Sequence, residues 1–219
     1  MVVIYHRTPV RAAVVLVVTV VLVAAGCGGD EQSSANGCDD VEQPQAREAQ
    51  NVTPPRKRLD DEKTYLLSFE TSCGTFVVKL DQENAPNTTA SLVTLAREGF
   101  YDNTVFHRIV PGFVIQGGDP TQTGSGGPGY WMLDRPPADT RYTKGTFAMA
   151  KTSDQPAGMS GSQFFVVTAG DAGLEPDYAV AGKVTGGLDV VERIGELGDA
   201  QEQPTQTVLV RHVSVSTRP

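Results

Sequence analysis

The stretch Val105-Phe106-His107-Arg108-Ile109-Val110-Pro111-Gly112-Phe113-Val114-Ile115-Gln116-Gly117-Gly118-Asp119-Pro120 is apolar except for a few polar side chains in conspicuous places. Its composition predicts two short strands, 105–110 and 113–116. Side chains alternate faces along a strand, so Arg108 cannot share a face with its apolar neighbours. It points either to solvent or to a site. Gln116 poses the same question on the second strand. A later segment, Gly161-Ser162-Gln163-Phe164-Phe165-Val166-Val167, again sets a glutamine beside aromatic residues. Aromatic residues make up only 7% of the 219-residue chain, so each phenylalanine in such a pattern is informative.

Strands surround these segments. Tyr65–Thr71 and Thr75–Leu80 read as a pair joined tightly through Ser72-Cys73-Gly74. Short strands are expected at Gly145–Ala150, Gln163–Thr168 and Ala179–Val184, and Val208–Val215 alternates as a final one. Pro86 suits the first position of a helix, with Asn84 or Asn87 near its cap. Leu92, Val93, Leu95 and Ala96 give that helix an apolar side and Gly99 stops it. Leu188, Val191 and Ile194 mark a second, short helix. Many short antiparallel strands with two helices, over about 155 residues, predict a mostly β domain closed into a barrel and capped by helices.

The chain outside that domain reads differently. His6, Arg7 and Arg11 precede a 14-residue apolar run, Ala12–Ala25. That is short of the ~20 residues a membrane span needs and suits a signal sequence. Ala24-Ala25-Gly26-Cys27 resembles a bacterial lipobox, although Ala24 stands where an aliphatic residue such as Leu is usual. The expectation is a leader over 1–26, lipidation at Cys27, and a chain held outside the cytoplasm at a bacterial cell membrane. An uncleaved anchor is the alternative. Residues 27–62 are rich in Gln, Ser, Asp, Glu and Pro and predict a disordered tether, with the globular domain over 63–219. Such a location permits a disulfide between Cys38 and Cys73, with two free thiols as the alternative.

Charge excludes several functions. The formal net charge is −8, and discounting the two leader arginines makes it −10 from Cys27 onward. An acidic chain lacks the basic face that nucleic-acid binding needs. Three scattered histidines and three cysteines argue against a metal site. Gly124–Gly129 superficially fits a nucleotide-binding glycine pattern, but Pro128 and Gly129 interrupt the helix it would have to open, so it reads as a loop.

Taken together, FHRIVPGFVIQGGDP at 106–120, GTFAMA at 145–150, GSQFFVVTA at 161–169 and AGKV at 181–184 resemble the cyclophilin family of peptidyl-prolyl cis–trans isomerases. The resemblance covers essentially all of 64–217 in the family's order. It implies a closed eight-stranded antiparallel barrel with a helix at each end and a reaction that uses no cofactor and no metal. It implies proline-containing peptides or unfolded proteins as substrates. By resemblance Arg108 is the catalytic cation and Gln116 orients it. Phe113, Phe165 and Leu174 form the proline pocket, with Val114 standing where many relatives have Met and Met149 near by. Ala150, Lys151 and Thr152 form the strip along which the peptide lies, and Gln163 is a polar contact on the facing strand. His107 becomes a hydrogen-bonded supporting residue. The chain departs from the family at three positions: Gly173 replaces a frequent pocket-rim tryptophan, Tyr178 a frequent histidine, and Lys151 a frequent asparagine. The lost indole implies weak cyclosporin binding. A clamp that grips proline peptides without turnover is the competing function.

Overall fold

The structure, a computed structural model, describes residues 36–48 and 51–219. The expected leader and the lipidation site at Cys27 lie outside the described residues. In chain order the elements are β1 (Thr64–Thr71), β2 (Gly74–Leu80), α1 (Pro86–Arg97), β3 (Thr104–Val105), β4 (Arg108–Val110), β5 (Val114–Gly117) and β6 (Met132–Leu133). There follow β7 (Thr146–Met149), β8 (Met159–Ser160), β9 (Phe164–Val167), β10 (Val180–Gly186), α2 (Leu188–Gly195) and β11 (Leu209–Arg218).

Among the described residues, nine strands form one antiparallel sheet in the order β3-β11-β1-β2-β10-β7-β9-β5-β4, and β6 pairs with β8 apart from it. The fold is mostly β with two helices, but the sheet is an open, curled half-barrel rather than a closed eight-stranded barrel. The expected strand 105–110 breaks at Phe106-His107 into β3 and β4, which become the two edges. Strands of two and three residues are too short to zip together, and among the described residues one isolated bridge, Val105–Asp119, spans the seam. The loop after α2 covers the β4 edge instead, with Ile109 N–H donating to the Glu202 carbonyl at 3.0 Å.

Alternation in the strands decides which residues form the core. Ile109, Ile115, Val166 and Phe147 lie opposite one another across β4, β5, β9 and β7 and point inward. Phe69 stacks on Phe76 with ring centres 4.7 Å apart, and Phe164 on Phe147 at 4.8 Å. Leu92 and Leu95 from α1, with Val191 and Ile194 from α2, seal the interior. α1 starts at Pro86 as expected, but neither asparagine caps it. Asp134 reaches across from beyond β6 to accept from Thr88 N–H at 2.6 Å and from Asn87 at 2.8 Å. It thereby satisfies an orphan amide at the positive end of the helix.

The segment expected to be a disordered tether is, in its described part, attached. Cys38 is bonded to Cys73. Asp39 N–H donates to the Ser72 carbonyl, Arg47 donates to the Phe100 carbonyl at 2.6 Å, and Val52 N–H donates to the Pro128 carbonyl. Val52 and Leu59 pack on the core. Composition counts only the apolar surface a segment can bury by itself. It misses backbone hydrogen bonds and a covalent link to a neighbouring domain.

Candidate functional site

The outer face of the same sheet carries the site. Arg108, Gln116, Phe165, Ala148 and Val180 stand directly opposite one another across β4, β5, β9, β7 and β10, one row of side chains pointing away from the core. The neighbouring row Val110, Val114 and Val167 gives this face an apolar floor. The alternation noted for Arg108 thus places it on this outer face, where it lines a cavity.

That site is a cavity of about 210 Å³ lined by Arg108, Phe113, Val114, Gln116, Ala150, Lys151, Phe165, Leu174 and Tyr178. Phe165 and Tyr178 meet edge to face at 5.4 Å. Beside it lies a second cavity of about 190 Å³, shared at Gln116, Ala150 and Lys151 and extending to Gly124–Gly127, Trp131, Thr152, Gln155 and Gln163. Thr152 and Gln163 belong to this second cavity. Gly126 has to be glycine, because a Cβ there would fall 2.1 Å from the Asp119 carboxylate. Asp119 is fully buried and accepts from the backbone of Thr121, Thr123 and Gly126. These bonds hold its carboxyl below the usual carboxylate range against the burial that opposes them. The glycine-rich stretch is therefore a loop wall, consistent with Pro128 within it.

A relay of polar side chains runs along the lip of both cavities. Arg108 Nη1 donates to Gln116 Oε1 at 3.3 Å, Gln116 Nε2 to Gln163 Oε1 at 3.2 Å, and Gln163 Nε2 to the Gly126 carbonyl at 2.9 Å. Arg108 Nε donates to Glu202 at 2.7 Å. Nη2 of Arg108 has no partner among the described residues. An always-charged fork donor therefore sits, oriented, at the mouth of an apolar pocket.

Two expectations need correction. Met149 is fully buried and lies opposite Phe164 on the core face. Adjacent strand residues cannot share a face, so where Ala150 lines the cavity Met149 cannot. His107 is not hydrogen-bonded: both ring nitrogens are buried without a partner among the described residues. Burial lowers its pKa, nearby Asp119 raises it and Arg108 lowers it further.

Two departures from the family take on a structural meaning. Lys151 does not lie out along the strip. Its side chain is 3% exposed, its ammonium pairs with Asp177 and donates to the carbonyls of Thr152 and Gln155, and it sits 5.5 Å from the Tyr178 ring centre. Gly173 has φ +63° with open space around it, a conformation that a tryptophan would adopt only under strain.

Sequence reasoning missed three contributors. Glu202 lies 94 residues from Arg108 in a polar loop, with no sequence signal. Tyr142 is fully buried, and its hydroxyl donates to the Tyr178 carbonyl at 2.7 Å and accepts from Tyr178 N–H at 2.9 Å. Trp131, 58% exposed at the second cavity, is the chain's one tryptophan. Its rarity was the signal that could have found it.

Comparison with known proteins agrees with this geometry. The family model described as cyclophilin type peptidyl-prolyl cis-trans isomerase/CLD matches residues 66–215. Peptidyl-prolyl cis-trans isomerase-like 1 of Aspergillus oryzae is 36% identical over 149 residues, covering 66% of this chain and 91% of the relative. Peptidyl-prolyl cis-trans isomerase ppi1 of Schizosaccharomyces pombe is likewise 36% identical, over 66% of this chain and 94% of its own. A crystal structure of a Cryptosporidium parvum cyclophilin type peptidyl-prolyl cis-trans isomerase, determined in the presence of the dipeptide Ala-Pro, superposes with a TM-score of 0.64. It is 28% identical and covers 69% of this chain and 98% of that one. With that family model spanning most of the globular domain and relatives of this identity along it, the chain belongs to the cyclophilin-type peptidyl-prolyl cis–trans isomerases.

Proposed function

We propose that this isomerase acts on X-Pro bonds of proteins folding outside the cytoplasm, with Arg108 as its catalytic group and the Phe113–Phe165–Leu174–Tyr178 notch as its proline pocket. The amide C–N bond resists rotation with a barrier of ~18–20 kcal/mol because of resonance. Before proline the two isomers are close in energy, yet exchange takes tens of seconds or longer. Twisting the bond leaves the nitrogen lone pair localised. A group that donates to that lone pair stabilises the twisted state more than either planar one, and only such a difference speeds the reaction. Arg108 is suited to this: it lines the pocket that would hold the ring, and Gln116 steadies it through Nη1. No nucleophile or proton transfer is required. The Ala-Pro dipeptide present with the Cryptosporidium protein supports proline-containing peptides as the ligand class. The backbone of Ala150, Lys151 and Thr152 would carry the residues before the proline, with Gln163 and the second cavity beside them.

The leader sequence supports lipid anchoring of Cys27 to a bacterial cell membrane, with 1–26 as signal, 27–62 as spacer and 63–219 as the isomerase domain. The Cys38–Cys73 bond supports an oxidising compartment. Because the spacer is docked from Asn36 onward, it gives less reach than a fully flexible one would.

The observation that carries the catalytic assignment is the position of the Arg108 guanidinium at the lip of the apolar cavity. Protease-coupled and NMR exchange assays on a short X-Pro peptide test it. Arg108→Ala should lower kcat/KM by about 10²-fold or more, the typical loss for one aimed donor, with the fold intact. Turnover unchanged by that substitution refutes the assignment. Peptide binding with negligible turnover in both proteins would establish the clamp function instead.

A further inference from the structure

We propose that Glu202 is a positioning residue for this reaction, fixing the plane of the Arg108 guanidinium so that its outer N–H groups face the pocket. The inference rests on the assignment of Arg108 as the catalytic group. A planar side chain held at one point can swing about it, and two points set its plane. Gln116 supplies one point through a long bond of 3.3 Å. Glu202 supplies the other, at 2.7 Å and between full charges, and charge-assisted bonds of that length are the stronger kind.

The loop that carries Glu202 is built rigidly for this. Gly198 and Pro204 form a bridge, Asp199 N–H donates to the Gln203 carbonyl, and the Asp199 carboxylate accepts from the N–H groups of Gln201 and Gln203. Inside this turn Glu202 has φ +64°, a left-handed conformation that a residue with a long side chain adopts only when its surroundings impose it. Its own carbonyl accepts from Ile109 N–H, the residue next to Arg108. The turn is thus tied through its backbone to the strand that bears the arginine. The strained residue is the one whose carboxylate meets it.

The experiment compares Glu202→Ala, Glu202→Gln and Arg108→Ala in the full chain. Alanine keeps the Cβ, so backbone strain and the Ile109 bond stay as they are. Glutamine keeps an oxygen acceptor for Nε. Glu202→Ala should lower kcat about five- to tenfold with KM within about twofold, the pattern of a contact that matters in the transition state. The Arg108 Nε–H resonance should exchange faster with water, and the melting temperature should hold. Glu202→Gln should recover kcat to within about threefold of wild type. An inactive Arg108→Ala beside a fully active Glu202→Ala overturns the role of Glu202 alone, as does a glutamine variant that falls as far as alanine or an unchanged Nε–H exchange rate. An active Arg108→Ala overturns the catalytic assignment itself, and the Glu202 role with it.

Discussion

Removing Asp177 should harm this protein more than removing its partner Lys151, although the same ion pair is lost in both cases. The Lys151 side chain is 3% exposed, whereas Asp177 is 39% exposed. Asp177→Ala leaves an ammonium inside the cavity wall with two carbonyls and a ring for company but no counter-charge. Breaking a buried pair in this way costs about 3–5 kcal/mol, and the half-exposed position of the acid brings the expected loss down to or just below the lower limit of that range, about 2–3 kcal/mol. Lys151→Met keeps the apolar stem and leaves the carboxylate in water. Its cost is confined to the donors lost to Thr152 and Gln155, about 1 kcal/mol. At roughly 2–4 °C per kcal/mol for a domain of this size, thermal unfolding should separate the two variants by several degrees. The double variant should lie near Lys151→Met, since without the lysine there is no stranded charge. Because the clasp backs the peptide strip and Tyr178, both single variants should raise KM more than they lower kcat. A Lys151→Met variant less stable than Asp177→Ala, read from the same melting curves, refutes the reasoning.

Tyr142→Phe should cost about 1–3 kcal/mol, because it leaves both the N–H and the carbonyl of Tyr178 without their partner. Chemical denaturation measures the loss, and an unchanged midpoint would show that the hydroxyl is dispensable. His107 is held neutral by burial below its ordinary 6.5, so its contribution to stability is fully present above that pH. It is lost as the pH falls below 6.5 and the unfolded chain takes up the proton first. Melting temperatures between pH 7.5 and 5 should therefore slope less in His107→Phe than in wild type, and equal slopes would assign the dependence to other groups. Cyclosporin should bind more weakly than to relatives that carry the rim tryptophan, since Gly173 offers neither ring nor donor. Titration giving comparable affinity would contradict this. Gly173→Trp should not restore tight binding, because φ +63° strains any side chain placed there.

What could be read from the chain alone was the part governed by short-range periodicity. Arg108 and Gln116 sit eight residues apart and face each other across one tight hairpin, so alternation along two strands placed both on one face. The same rule, applied strictly, would have put Met149 in the core beside Phe147. The tertiary structure decided everything that depends on how distant segments meet. Asp134 caps a helix 46 residues away, and Glu202 finds Arg108 across 94. The strap from Asn36 is held by a bond to Cys73 and by backbone partners no composition reveals. Whether the sheet closes was likewise undecidable locally, because it turns on the length of two edge strands and on the loop that covers them. Periodicity tells a side chain which way to face. Only the path of the whole chain determines what it meets there, because loop closure and strand register bring together residues whose local sequences carry no trace of one another.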